Sequence, residues 1–84
     1  MYRTTKRTTE SLKRLGVWCY WHNWFELDNL LSECRARKWH VKINVWGDGS
    51  VRCEVGGYFA SHKNNPTEAV GRALDQALKE QKGR

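Results

Sequence analysis

The fold is decided by residues 39–55, which read WHVKINVWGDGSVRCEV and alternate apolar with polar side chains. A period of two is typical of a half-buried strand, so this pattern predicts strands over 39–46 and 51–55. The residues between them, 47–50, fit a type I turn in which Gly49 takes the left-handed position of a bulge. The stretch is therefore predicted to be an antiparallel β-hairpin.

The predicted turn also fixes the register of the hairpin, with Trp46 facing Ser50. Lys42 then falls opposite Glu54 on one face of the hairpin. The other face collects the apolar pairs, which are Val41 with Val55, Ile43 with Cys53, and Val45 with Val51.

A helix is predicted after the hairpin, beginning at Asn65-Pro66-Thr67-Glu68. Asn65 suits the N-cap, Pro66 suits the first helical position and Glu68 would complete a capping box. One apolar stripe then follows at helical spacing, made of Ala69, Val70, Ala73, Leu74, Ala77 and Leu78. Its three alanines predict that the helix axis lies close to the sheet.

The N-terminal half carries weaker patterns. Residues 9–16 fit a short helix closed by a glycine, and 17–21 fit either a third strand, which we favour, or an aromatic lead-in to the next helix. Asn23-Trp24-Phe25-Glu26 reads as a second capping box opening a helix that ends near 37–38. Its apolar stripe is Leu27, Leu30, Leu31 and Cys34. The sequence thus predicts an α+β, two-layer domain in which two helices pack the hairpin, in the order (α)-(β)-α-β-β-α.

Length and composition limit the classes of protein. Eighty-four residues make one small domain, and no apolar run is long enough for a membrane span. Met1 is followed by a polar, basic stretch rather than a signal peptide. Three scattered cysteines are too few for a disulfide framework. We therefore expect a protein of the cytoplasm.

The net charge of +6 is concentrated near the N-terminus. Residues 1–15 hold five basic residues and one acid, a net of +4, which leaves +2 for the rest. Residues 1–8 carry almost nothing apolar, so we expect a flexible basic arm preceding a domain over 9–84. Arg3, Lys6 and Arg7 are the candidate binding residues of this arm.

The sequence offers little catalytic or metal-binding chemistry. Cys19, His22, Cys34 and His40 are zinc-competent, but their order does not fit common zinc motifs, and Cys34 falls on an apolar stripe. The three histidines and the acids show no nucleophile-base spacing, and no glycine-rich phosphate loop is present. We predict a protein that is not an enzyme and carries no cofactor.

The outer face of the hairpin is the better candidate site. Its expected members are His40, Lys42, Asn44, Trp46, Arg52, Glu54 and Tyr58. Aromatic residues interleaved with lysine and arginine suit base stacking or a protein interface. The alternative is that the first helix or residues 17–21 cover Trp46, because large aromatics are usually buried.

Residues 39–78 resemble the closing half of a double-stranded-RNA-binding domain, a hairpin followed by an alanine-rich helix, with 23–38 as its first helix. The resemblance implies phosphate contacts from lysines at the start of the last helix. In this chain 62–68 keeps Lys63 and gains Glu68. The family also has three consecutive strands after its first helix, whereas this sequence predicts two.

The chain is also similar in type to small phage-encoded anti-defence proteins, including some anti-CRISPR proteins. The features shared are one hairpin, the capped helix at 65–68 and no catalytic motif. This resemblance implies stoichiometric binding to a host protein, often one that handles nucleic acid. We expect a phage or mobile-element inhibitor acting by protein-protein interaction, with a basic nucleic-acid-binding module for DNA or RNA as the alternative.

Overall fold

A computed structural model describes residues 2–19 and 23–82. It contains three helices and one sheet in the order α1 (Lys6–Arg14), α2 (Leu27–Ala36), β1 (Val41–Val45), β2 (Val51–Val55), β3 (Tyr58–His62) and α3 (Pro66–Lys82). The expected α+β class and two-layer packing are confirmed. Among the described helices, none is both long and apolar enough to cross a membrane.

The sheet is antiparallel, with strand order β1-β2-β3. The predicted hairpin register is confirmed: Val45 pairs with Val51 and Lys42 with Glu54. Gly49 has φ +92°, as the bulge requires.

The third strand was placed wrongly by the sequence. It is β3, which pairs with β2 through Val55 opposite Tyr58. Gly56 and Gly57 form the two-residue connection and both have positive φ, a conformation that hairpin turns of this length need. Gly56 and Gly57 therefore start a second hairpin, which the sequence analysis did not predict.

Helix α3 packs against the inner face of β2 and β3. Asn65 caps it as predicted, accepting a hydrogen bond from the Glu68 N–H at 3.1 Å. Every residue of the predicted apolar stripe is buried. The core centres on this stripe, on the inner residues of β2, and on Leu12, Phe25 and Leu30.

Helix α2 begins three residues later than predicted, at Leu27 with Glu26 as the N-cap. Phe25 is fully buried, and its N–H donates to Thr4 Oγ1 at 2.9 Å while its carbonyl accepts from Thr4 N at 3.1 Å. These contacts keep the backbone extended as far as Glu26, so Asn23 cannot cap the helix. The helix ends at Ala36 with Arg37 as its C-cap, close to the predicted end at 37–38, and Lys38 follows with φ +59°.

Residues 17–19 form no strand, contrary to the favoured interpretation. Side chains of α2 bind this segment instead: the Trp18 N–H donates to Glu33 Oε1, and Asn29 Nδ2 donates to the Trp18 carbonyl. Val17 and Cys19 are buried, so the segment is a packed connection. The remainder of the predicted strand, residues 20–21, lies outside the described residues.

The N-terminal segment packs against α3 from Thr4 onward, although residues 1–8 were expected to form a flexible arm outside the domain. Thr4 and Thr8 are 6% and 8% exposed, and α1 starts at Lys6 rather than near residue 9. Gly71 makes this packing possible, because a Cβ there would lie 2.9 Å from Thr4 Cγ2 and 3.1 Å from Thr8 Cγ2. Small groups on both sides let α1 approach α3 closely.

Glu68 holds the two helices together from a fully buried position. Its carboxylate accepts hydrogen bonds from Thr5 N at 2.7 Å, Thr8 Oγ1 at 2.7 Å and Arg72 Nε at 2.7 Å. It therefore does not close the predicted capping box; the Asn65 N–H donates to His62 Nδ1 instead.

Candidate functional site

The candidate site is the outer face, the side of the sheet turned away from α3. Alternation along the strands and the observed register determine its members. They are His40, Lys42, Asn44, Trp46, Arg52, Glu54, Phe59 and Ser61. Six of the seven residues expected on this face are therefore placed on it.

Tyr58 is the exception. It pairs with Val55, whose side chain is buried on the inner face, and pairing residues share a face. Tyr58 is accordingly half-buried on the inner side, and its neighbour Phe59 takes the outer position. The face that each residue of β3 occupies could have been predicted from the sequence if Gly56-Gly57 had been recognised as a two-residue turn.

Trp46 and Phe59 are the large apolar side chains of the outer face. They are 51% and 52% exposed, so the alternative in which another element covers Trp46 is wrong. Arg52 lies in the strand between them, and its guanidinium carbon is 4.8 Å from the centroid of the Phe59 ring. Stacking of this kind holds an arginine in one orientation and contributes about 0.5–1 kcal/mol at an exposed site.

Trp46, Arg52 and Phe59, which together form the aromatic cluster, border a shallow hollow of about 300 Å³. Lys42, Asn44 and Glu54 complete its rim. The hollow thus combines two aromatic surfaces with donors and acceptors of both charges. Such a mixture suits a protein side chain entering from a partner.

The turn next to Trp46 is fixed by its own hydrogen bonds. Trp46 N donates to the Ser50 carbonyl at 2.9 Å, and Gly49 N donates to the Trp46 carbonyl at 2.9 Å. The Asp48 carboxylate accepts from the Ser50 hydroxyl and Ser50 N–H, and these bonds hold the pKa of Asp48 below its usual value. Trp46 is therefore presented from a rigid backbone.

A second concave region, the end groove, lies where the outer face meets the start of α3. It has a volume of about 620 Å³. Its lining consists of Trp46, Ser50, Val51, Arg52, Ser61, His62, Lys63 and Arg72. Three of these side chains are permanently cationic and none is acidic, which makes the groove suitable for an anionic group.

His62 is held in one tautomer at the edge of the end groove. Its Nδ1 accepts hydrogen bonds from Asn64 N at 3.1 Å and Asn65 N at 2.9 Å. The neutral ring therefore carries its proton on Nε2, which is a donor. Arg72 is similarly oriented, because Glu68 binds its Nε.

The basic residues of the expected arm do not join the outer face. The Arg3 guanidinium carbon lies 4.1 Å from the centroid of the Trp24 ring, which is not part of the sheet. Lys6 and Arg7 are exposed on α1, which packs on α3, whereas the outer face is turned away from α3. Of the ten candidate binding residues, six thus lie on the outer face, Tyr58 lies on the inner side, and Arg3, Lys6 and Arg7 lie away from the outer face.

The zinc-competent side chains do not converge as far as the structure describes them. Cys34 is buried in the core on α2, while His40 is exposed on the outer face. Within residues 2–19 and 23–82, no three His, Cys, Asp or Glu side chains gather to hold a metal ion. His22 lies outside these ranges.

Both concave regions include residues that were not among the candidate binding residues, notably Phe59, Ser61, His62, Lys63 and Arg72. Strand β3 supplies the first three, Lys63 follows it directly, and Arg72 comes from α3. Comparisons with models of known protein families, with curated proteins and with solved structures find no match.

Proposed function

We propose that this chain is a small non-catalytic binding protein that inhibits or redirects a host protein by stoichiometric contact through the outer face. One observation carries the proposal: Trp46 and Phe59 are each about half exposed on either side of Arg52, which stacks on Phe59. Tryptophan and arginine are the side chains that most often dominate the energy of protein interfaces.

The charge of the outer face favours a protein partner. Lys42 and Arg52 are its permanent cations and Glu54 is its acid, which leaves a net charge of +1. A surface that follows a phosphate backbone needs several cations without nearby acids. A nearly balanced surface with exposed aromatics suits a protein better.

The proposed setting is the cytoplasm of a host cell. There the chain would be a phage or mobile-element protein acting on a host protein that handles nucleic acid or serves in defence. All three cysteines are free thiols, which suits a reducing compartment. The resemblance in type to anti-defence proteins supports the choice of target.

The proposal is tested by quantitative affinity capture from host-cell lysate. Wild type is compared with Trp46→Ala/Arg52→Glu and with the control Trp18→Ala, whose tryptophan is 65% exposed outside the sheet. We expect a host protein recovered in stoichiometric yield by wild type and the control but lost from the double variant. Equal recovery by all three folded proteins would show that the outer face is not the binding surface.

Nucleic-acid binding is the second candidate, and the end groove favours it. Arg52, Lys63 and Arg72 line the groove without an acid, and Trp46 offers a stacking surface. The order α2-β1-β2-β3-α3 also supplies the three consecutive strands of the double-stranded-RNA-binding family. Lys63 lies just before the last helix, which begins at Pro66.

This candidate predicts salt-sensitive binding to fluorescent DNA or RNA. Lys63→Gln should reduce the dependence on salt by about one counterion, whereas the control Lys38→Gln, exposed at the end of α2, should not. Absence of binding at low salt, or the same salt dependence in both variants, would eliminate the candidate.

A further inference from the structure

Strand β1 exposes apolar side chains that its partner strand buries. Ile43 and Val45 are 36% and 65% exposed, whereas Cys53 and Val51 opposite them are 1% and 3% exposed. The cause is the position of α3, which packs on β2 and β3. In the described part of the chain, β1 is therefore an edge strand with an uncovered apolar face.

The backbone of β1 also has one row of groups directed away from β2. Trp46 N donates to Ser50 and the His40 carbonyl accepts from Gly56, so the even-numbered residues bond to β2. Hydrogen bonding alternates along an antiparallel strand, which directs N–H and C=O of 41, 43 and 45 outward. The outward backbone groups thus belong to the residues with apolar side chains.

Natural edge strands usually avoid such exposure by charge, proline or a bulge. In β1 the only charged residue is Lys42, which lies on the outer face, and no proline is present. The inner-face side chains of β1, Val41, Ile43 and Val45, are all β-branched, which favours strand pairing. The edge is built to accept another strand.

We infer that a second copy of this chain pairs with β1 in antiparallel orientation, about a two-fold axis at Ile43. Apolar residues then meet across the interface, Ile43 with Ile43 and Val41 with Val45. On the outer face Lys42 of one copy meets Asn44 of the other. The result is a continuous six-stranded sheet.

Charge and side-chain pattern select this register over its neighbours. Moving the axis to residue 42 sets Lys42 opposite Lys42, which is repulsive. Moving it to residue 44 sets Val41 opposite Gly47 and leaves two apolar pairs instead of three. Registers displaced by a single residue bring inner and outer faces together and are excluded.

The shape of the inner side is consistent with the same register. A hollow of about 500 Å³ lies beside β1, where Leu31, Cys34, Trp39 and Val41 line it together with Arg35, Lys38 and His40. The axis at Ile43 puts Val45 of the second copy opposite Val41, at this hollow. The most exposed apolar residue of β1 then lies beside the apolar part of this hollow in the other copy.

Pairing of this kind goes beyond the proposed function, because it uses the edge and inner side of β1. It also extends the outer face. The two copies of the Trp46, Arg52 and Phe59 cluster come to lie on one continuous sheet, so a dimeric or repetitive target can be bound at two points.

Sedimentation velocity of the full chain over a concentration series tests the inference. Wild type should dimerise reversibly, and Val45→Lys should remain monomeric where wild type is dimeric. Asn44→Lys should weaken the dimer at least about tenfold by opposing Lys42, and Asn44→Glu should strengthen it. A monomeric wild type at every concentration would overturn the inference.

Ser61→Lys is the matched control, because Asn44 and Ser61 both lie opposite Arg52, on β1 and β3 respectively. Each substitution places a lysine opposite Arg52, so both add the same repulsion within the chain. Only residue 44, however, lies at the proposed interface. Equal effects of the two on dimerisation would contradict pairing through β1. Amide exchange should also slow with concentration at 41, 43 and 45, and unchanged exchange there in a dimer would overturn the proposed edge.

Discussion

The Glu68 carboxylate and the Thr8 hydroxyl lie 2.7 Å apart although they are 60 residues apart in the chain. This bond joins α1 to α3 within a site that excludes solvent from Glu68. Thr5 N–H and Arg72 Nε complete the shell around the carboxylate. The N-terminal segment is therefore attached to the domain by charge-assisted hydrogen bonds, which are stronger than neutral ones.

Glu68→Gln should destabilise the protein by about 2–4 kcal/mol, because it removes the charge that Arg72 pairs with and adds a buried amide N–H group among donors. Chemical unfolding in urea measures the loss. Glu80→Gln, at an exposed position of the same helix, is the control and should change stability by less than about 0.5 kcal/mol. Equal stability of the two variants would mean that the buried carboxylate contributes nothing.

Gly71→Ala tests the close approach of α1 and α3. Alanine favours a helix over glycine by about 1 kcal/mol, but its Cβ would lie 2.9 Å from Thr4 Cγ2. Overpacking of this kind costs about 1–3 kcal/mol, so we expect a net loss of stability. Thr4→Ser removes that methyl and keeps the hydroxyl bonds, so the loss should shrink in the Thr4→Ser background. An unchanged loss there would place the strain elsewhere.

The buried thiols predict a response to alkaline pH. Burial raises the pKa of Cys34 and of Cys53 from 9.0 to about 11. The unfolded chain therefore loses these protons at lower pH than the folded chain does. Stability from this source is complete below pH 9 and falls as pH rises towards 11.

The thiol contribution is measured by comparing the free energy of unfolding of wild type with that of the double variant Cys34→Ala/Cys53→Ala between pH 9 and 11. The variant should lose stability less steeply with pH, and parallel curves would contradict the assignment. Near neutral pH, both thiols should resist alkylation until the chain unfolds, because the reactive thiolate is neither populated nor accessible.

The hairpin and α3 could be predicted because their information is local. The turn containing Gly49 set a register that apolar alternation confirmed independently, and Asn65 with Pro66 marked the helix start. The burial of β1 could not be predicted in the same way. Alternation identifies the apolar face of Ile43 and Val45, but only the packing of α3 decides that this part of the face stays open.

The errors in the N-terminal half have a different cause, since pairs distant in sequence determine that region. The hydrogen bonds of Thr4 keep the backbone at Phe25 extended, so α2 starts later in the chain. Glu68 holds the N-terminal segment in place through Thr5 and Thr8. A run of threonines and basic residues gives no local sign of either contact. In the candidate site, the error at Tyr58 came from one turn, because the two-residue connection after Val55 decides which face each residue of β3 occupies.

The central claim, a protein partner bound through the outer face, is tested most directly by calorimetric titration of the captured host protein with wild type, Trp46→Ala/Arg52→Glu and Trp18→Ala. We predict a fixed stoichiometry for wild type and Trp18→Ala, and an affinity at least about thirtyfold weaker for the double variant, as loss of an interface hot spot requires. The same affinity for all three proteins would contradict the claim.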